Sequence, residues 1–82
     1  MNNTSIVDYI GKTVLIFRTD RGLTQEQLAE KSGFTQGYIS AIEHGNRHLG
    51  HLSSLQKVSR AFGCQLSELV RYAEELREID RK

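Results

Sequence analysis

Proline and tryptophan are absent from this chain of 82 residues, and cysteine occurs once, at Cys64. A single cysteine excludes an internal disulfide and a multi-cysteine metal cluster. No apolar run approaches the roughly 20 residues that a membrane-spanning helix needs, and no basic, apolar leader opens the chain. Without proline, glycine is the main helix breaker, which favours an all-helical chain. We therefore expect a cytoplasmic protein with no membrane partner.

Charge of one sign is also scarce. The chain has 11 Lys and Arg against 10 Asp and Glu, a formal net charge of +1. Nucleic-acid-binding domains usually have a stronger basic bias, so charge alone argues mildly against such a function. The length predicts one small domain, residues 1–82, and a core of this size is often supplemented by a partner subunit.

Apolar spacing predicts five helices, and glycines separate them. The first runs from about Ile6 to Asp20, and the fifth from about Leu66 to near the C-terminus. Four glycines end the first four segments: Gly22, Gly33, Gly45 and Gly63. The fold class expected from this pattern is all-α.

Polar residues before three of the segments predict where the helices begin. Thr24 and Gln27 have the spacing of a capping box, in which each side chain bonds the other residue's backbone N–H. Ser53 and Gln56 repeat that spacing. Thr35 is expected to cap the third helix.

The most informative stretch covers residues 25–44, two short helices joined across Gly33 and Phe34. So tight a connection forces the helices to cross steeply. Ile39 and Ile42 would seat the second helix on the core. Its opposite face is small or polar, which suits entry into a DNA major groove about 12 Å wide. That face is formed by Gln36, Gly37, Ser40 and Ala41.

This stretch and its flanks resemble the Cro/C1-type, or XRE, family of helix-turn-helix DNA-binding regulators. The resemblance covers roughly residues 10–70. It is carried by Arg18, GLTQEQLA at 22–29, Gly33, YIS at 38–40, Ile42, Glu43, Gly45, AFG at 61–63 and LSEL at 66–69. The family implies a compact, lambda-repressor-like bundle of five helices. It also implies double-stranded DNA as partner, a prokaryotic or phage source, and neither enzyme activity nor a cofactor.

Roles at matched positions follow from the resemblance. Gln25 is expected to contact the DNA backbone and brace the recognition helix, the alternative being a cap that only pairs with Gln36. Thr35, Gln36 and Gly37 fall where the recognition helix begins. Gln36 is the best base reader, because a glutamine amide can bond adenine N6 and N7 together; its alternative is a solvated surface residue. Gly37 and Ala41 depart from family members that read bases there.

Other matched residues extend this set. The Tyr38 hydroxyl is expected at a phosphate, with simple packing as the alternative. Because Gly37 and Ala41 leave few side-chain contacts, further specificity is expected from one of three sources: Ser40, Arg47 or DNA shape. Arg18 and Glu43 match a pair that often forms an ion pair. The residues after the recognition helix fall where the family contacts the DNA backbone, although this loop lacks the family's usual proline and is one residue longer. These residues are Asn46, Arg47 and His48.

The fifth helix extends past the family's common core and has an apolar seam. The seam is expected to form a homodimer interface that places two recognition helices about one DNA turn apart, on a palindromic operator. It comprises Leu69, Tyr72, Leu76 and Ile79, with Ala73 in an overlapping register. Leu15 and Ile16 would widen it. The alternative is that this helix folds back on its own bundle.

Further chemistry is not expected. Three histidines, at positions 44, 48 and 51, are spaced four and three residues apart, as metal ligands on one helix face would be. Gly45 and Gly50 interrupt any such helix, so we predict no metal site. We read Cys64 as a core residue, with a redox switch as the alternative. No small-molecule effector site is expected.

Within the family, the short chain and long last helix most resemble restriction–modification controller proteins. Phage repressors and antitoxins also fit this size. The alternative function is a protein–protein interaction module of the antitoxin or anti-regulator type, which the low net charge, Gly37 and Ala41 would suit.

Overall fold

Glycines and polar caps divide the part of the chain that the structure describes into five α-helices. The computed structural model describes residues 5–45 and 51–81. The helices are α1 (Ile6–Asp20), α2 (Gln25–Ser32), α3 (Gln36–Glu43), α4 (Leu52–Phe62) and α5 (Leu66–Asp80). The predicted all-α fold of five helices is confirmed. None of the helices in these two ranges combines the length and apolar character needed to cross a membrane.

The starts of α2 and α3 follow the predicted caps. Thr24 Oγ1 accepts a hydrogen bond of 3.0 Å from the Gln27 N–H, and Gln27 Oε1 accepts one of 2.8 Å from the Thr24 N–H. Thr35 Oγ1 likewise accepts from the Tyr38 N–H at 3.1 Å. These bonds satisfy backbone donors that have no partner within the helix.

The predicted capping box of α4 is wrong. The helix begins at Leu52, and its N-cap residue, His51, makes no side-chain capping bond. Ser53 therefore lies inside the first turn. The next residue, Ser54, accepts a hydrogen bond of 2.8 Å from the Tyr38 hydroxyl instead. The serines in the first turn of α4 therefore do not cap the helix, and one of them connects α4 to α3.

The core lies where the apolar stripes of all five helices meet. α1 packs against α3 and α5, α2 packs against α3 and α4, and α4 packs against α5. The stripe of each helix supplies at least two buried side chains. The core comprises Tyr9, Ile10, Val14, Leu28, Ala29, Ile39, Ile42, Leu55, Val58, Phe62, Leu69 and Ala73.

A glycine in the middle of α1 sets how closely α1 approaches α3. Gly11 is buried, and a Cβ added there would overlap the carbonyl oxygen of Ile42 and lie 3.2 Å from that of Glu43. The last turn of α3 can therefore rest directly on α1. This approach sets the position of Glu43 relative to α1.

Candidate nucleic-acid interface

The crossing of α2 and α3 depends on the turn between them. Gly33 has a φ of +80°, a left-handed conformation that glycine adopts without steric penalty. The Phe34 N–H bonds the Ala29 carbonyl at 2.9 Å and closes the C-terminal cap of α2. α3 then buries Ile39 and Ile42. Its first turn is left exposed at Thr35, Gln36 and Gly37.

A buried ion pair anchors the far end of α3 to α1. Arg18 Nε lies 2.6 Å from Glu43 Oε2, and Arg18 Nη2 donates to Oε1 at 3.1 Å. The side chains are only 13% and 4% exposed, respectively. Arg18 Nη1 also donates to the Leu23 carbonyl at 2.8 Å. The hydrogen bond to Glu43 raises the pKa of Arg18 above its ordinary value, so the guanidinium keeps its positive charge. The expected pair is thus present as a two-pronged contact.

Two glutamines continue this network to the exposed start of α3. Gln25 Nε2 donates to Glu43 Oε1 at 2.9 Å, and Gln36 Nε2 donates to Gln25 Oε1 at 3.2 Å. An unbroken chain of side-chain hydrogen bonds therefore runs from Arg18 to Gln36. The chain restricts the orientation of the exposed Gln36 amide before any ligand arrives.

Tyr38 holds α3 against α4. Its hydroxyl donates to Ser54 Oγ at 2.8 Å, and its ring lies 4.6 Å, centroid to centroid, from the ring of Phe34. Because the hydroxyl proton is used within the protein, this geometry supports the packing alternative for Tyr38. A phosphate contact through that proton would require the Ser54 bond to break.

Comparison with known proteins agrees with this architecture. Residues 15–69 match the helix-turn-helix family HTH_3. The chain belongs to this family. A segment of 61 residues, 74% of this chain, is 36% identical to the uncharacterized HTH-type transcriptional regulator y4dJ of Sinorhizobium fredii and covers 78% of it. A segment of the same length is 39% identical to the immunity repressor protein of Bacillus phage phi105, of which it spans 42%.

A solved structure gives a similar result. The restriction-modification controller protein C.AhdI from Aeromonas hydrophila superposes with a TM-score of 0.72 and 32% identity, over 77% of this chain and 94% of that one. The predicted resemblance to the XRE group of helix-turn-helix proteins is confirmed. This is a family of DNA-binding transcription regulators and not of enzymes.

Of the other predicted DNA-contact residues, the structure describes Ser40 but not those that follow α3. Ser40 is half-buried on α3, where its carbonyl lies 2.7 Å from Nδ1 of His44. Three predicted backbone contacts, Asn46, Arg47 and His48, lie outside the described residues. The described part of the candidate interface therefore comprises Gln25 and the exposed first turn of α3.

The predicted dimer seam on α5 needs correction. Leu69 and Ala73 are fully buried in the core of a single chain, so neither has surface left for a second copy. α5 turns this part of its stripe towards its own bundle, as the alternative had it. Tyr72 and Ile79 remain exposed, and Leu76 is half-buried.

An exposed apolar surface nevertheless lies along α1 and α5. The Tyr72 ring meets Phe17 edge-on at 5.3 Å, and Lys12 Nζ lies 3.9 Å from Asp80 Oδ2, so the two helices run side by side. Ile16 is one turn from Lys12, and Ile79 adjoins Asp80. We call this the α1/α5 surface, formed by Ile16, Tyr72, Leu76 and Ile79.

The histidines and the cysteine, which could have bound a metal or reacted as a nucleophile, form no such site in the described residues. No group of three metal-ligating side chains occurs in residues 5–45 and 51–81, and His48 falls outside them. Cys64 is half-buried against the core, and burial raises the pKa of its thiol. A raised pKa keeps the thiol protonated at neutral pH, which makes it a poorer nucleophile.

Proposed function

We propose that this chain is a homodimeric, sequence-specific regulator that reads a palindromic DNA operator with α3. The observation that carries the proposal is the hydrogen-bonded chain from Arg18 to Gln36. It ends at an exposed amide on the first turn of the helix that the family places in the major groove. A base-reading side chain benefits from such support, because less conformational freedom is lost on binding.

The amide of Gln36 keeps the groups needed to read adenine. A glutamine amide has two N–H donors and a carbonyl acceptor. One N–H is used by Gln25 Oε1 at 3.2 Å. The second N–H and the carbonyl oxygen suit adenine N7 and the adenine N6 amino group, respectively. Gln25 therefore orients Gln36 without consuming its base-reading capacity.

Selection of duplexes from a randomised pool tests the whole proposal. We expect enrichment of an inverted repeat with half-sites about 10 base pairs apart, bound by two chains. No enrichment would favour the alternative of a protein-interaction module. Salt distinguishes the two further, because phosphate-dominated binding weakens by a log–log slope of about 0.9 per contact. Binding through an apolar face should respond little to salt.

Gln36→Ala should relax base preference at one position in each half-site. The expected loss is about 1–3 kcal/mol for each bidentate contact. Affinities for the enriched duplex and for each of its single-base-pair variants would be measured by fluorescence anisotropy. Gln56→Ala is the matched control, since this glutamine is exposed on α4. An unchanged base preference in Gln36→Ala would contradict the role given to α3.

For the dimer, we propose the α1/α5 surface as the interface. The helix-turn-helix unit has few cations, so two linked half-sites would compensate through effective concentration. The surface presents Ile79 with 65% of its area exposed, on the same helix as the exposed Tyr72 and about two turns after it. Covering such apolar side chains is favourable by about 1.5–3 kcal/mol each.

Ile79→Asp should convert the dimer to monomers. Two symmetry-related side chains are lost, so the dissociation constant should rise by at least about 100-fold. Sedimentation equilibrium measures this, and anisotropy should show weaker binding to the full operator. Leu52→Asp is the control, because Leu52 is 68% exposed on α4 and lies outside this surface. Equal effects of the two variants on the oligomeric state would contradict the assignment.

Among the subclasses, we propose the restriction–modification controller group. The likeness to C.AhdI, at 32% sequence identity over 77% of this chain, supports it. A controller is expected to bind upstream of its own gene, so an enriched operator located there would agree with the proposal. An operator found only elsewhere in the genome would count against it.

A further inference from the structure

The helix-turn-helix unit lacks the positive charge that DNA binding needs. Residues 24–45 contain one lysine and three glutamates. Glu43 is paired with Arg18, so the charge of this arginine is not available to a DNA phosphate. Neutralisation of phosphates supplies most of the sequence-independent affinity for DNA. Cations from neighbouring elements must therefore flank α3.

Lys57 on α4 is placed for this role. Its ammonium lies 5.6 Å from the centroid of the Phe34 ring, a distance typical of a cation–π contact. Phe34 directly precedes Thr35, the N-cap of α3, and stacks on Tyr38. The Tyr38 hydroxyl returns to α4 at Ser54. These contacts connect the Lys57 side chain to the exposed amino end of α3.

Two other described cations, one on α1 and one directly after it, are engaged elsewhere. Arg21 donates to the carbonyls of Phe17 and Phe62, and Lys12 approaches Asp80. By contrast, Lys57 is exposed, and no acidic side chain of the described residues is recorded within 4.0 Å of it. Its charge is therefore available to an external anion.

We propose that Lys57 contacts a DNA phosphate beside the groove that α3 enters, with the Phe34 ring holding its ammonium in place. The inference rests on the proposed function and adds a contact to it. Phosphate strands flank a groove about 12 Å wide, so a cation beside the amino end of a groove-bound helix faces one of them. Such a contact adds affinity without base preference.

The test measures the observed binding constant against salt for Lys57→Gln, on the enriched duplex and on a scrambled duplex. Two contacts are lost per dimer, so the log–log slope should fall in magnitude by about 1.8, with an affinity loss on the order of tenfold on both duplexes. Lys57→Arg should restore the slope, because it restores the charge and can stack on the same ring. Arg71→Gln removes the same charge from α5 and should leave the slope unchanged. Thermal melts would confirm that each variant is folded.

The outcomes separate the two proposals. If the wild type shows no preference for any duplex, the proposed function fails and the Lys57 contact with it. If the wild type binds specifically but Lys57→Gln keeps its full salt slope, only the Lys57 assignment is overturned. A Lys57→Gln variant that loses affinity on the enriched duplex alone would identify a base contact and would likewise overturn the phosphate assignment.

Discussion

Glu43→Ala is expected to lower the free energy of unfolding by about 3–5 kcal/mol, because it leaves the Arg18 guanidinium buried without its counter-charge. A domain of this size has roughly 4–12 kcal/mol of total stability, so the variant should lose at least about a quarter of it. DNA binding should fall as well, since Gln25 loses the acceptor through which it supports Gln36. Urea denaturation followed by circular dichroism measures the change.

Two variants control this result. Glu78→Ala removes a carboxylate that lies 3.7 Å from Arg81 with both side chains more than half exposed, and should cost well under 1 kcal/mol. The double variant Arg18→Met/Glu43→Leu should recover much of the stability, because it removes both buried charges. A Glu43→Ala variant no less stable than Glu78→Ala would show that the pair does not stabilise the fold.

Gly11→Ala should also be strongly destabilising, by about 3 kcal/mol, at the upper end of the range for overpacking. A methyl group there overlaps the Ile42 carbonyl oxygen, and backbone cannot move aside as a flexible side chain can. α3 would be pushed away from α1, stretching the Arg18–Glu43 contact. We therefore expect a lower urea midpoint together with weaker DNA binding.

Gly37→Ala is the matched control for this prediction. It makes the same change in a helix, but apart from its chain neighbours and the nearby backbone of α3 itself, no atom lies within 4 Å of the added carbon. Alanine is the better helix former, so stability should be unchanged or higher by up to about 1 kcal/mol. If both glycine variants shifted stability in the same direction, close packing would not be the reason for Gly11.

The parts of the fold that sequence predicts well are those decided by near neighbours. The caps at Thr24 and Thr35 and the left-handed Gly33 act within a few residues, so spacing alone reveals them. The turn at the start of α4 behaves differently. Ser54 is engaged by Tyr38, which is distant in sequence, and no local pattern reports such a partner.

The fifth helix shows a second limit of periodicity. Leu69 and Tyr72 belong to one apolar stripe, yet Leu69 is fully buried and Tyr72 is exposed. A stripe indicates which residues avoid water, but not whether the same chain or a second one covers them. Packing against α1 and α4 decides this.

The candidate site depends both on local sequence patterns and on contacts between residues that are distant in sequence. The spacing of residues 25–44 predicts a helix pair, whereas the Arg18–Glu43 pair follows from family resemblance. The contact of Gln25 with Glu43 and the position of Lys57 over Phe34 emerge only once the helices are packed. Gly11 has a sequence signal that is easily overlooked, a lone glycine within a helical pattern.

The ratio of affinities for an enriched and a scrambled duplex tests most directly whether α3 reads DNA sequence. We predict that wild-type protein at 0.15 M salt binds the enriched duplex at least about 1,000-fold more tightly. Gln36→Ala should reduce that ratio, and Gln56→Ala should not. A ratio near one for the wild type would contradict the account, because it would mean that this face does not discriminate among base sequences.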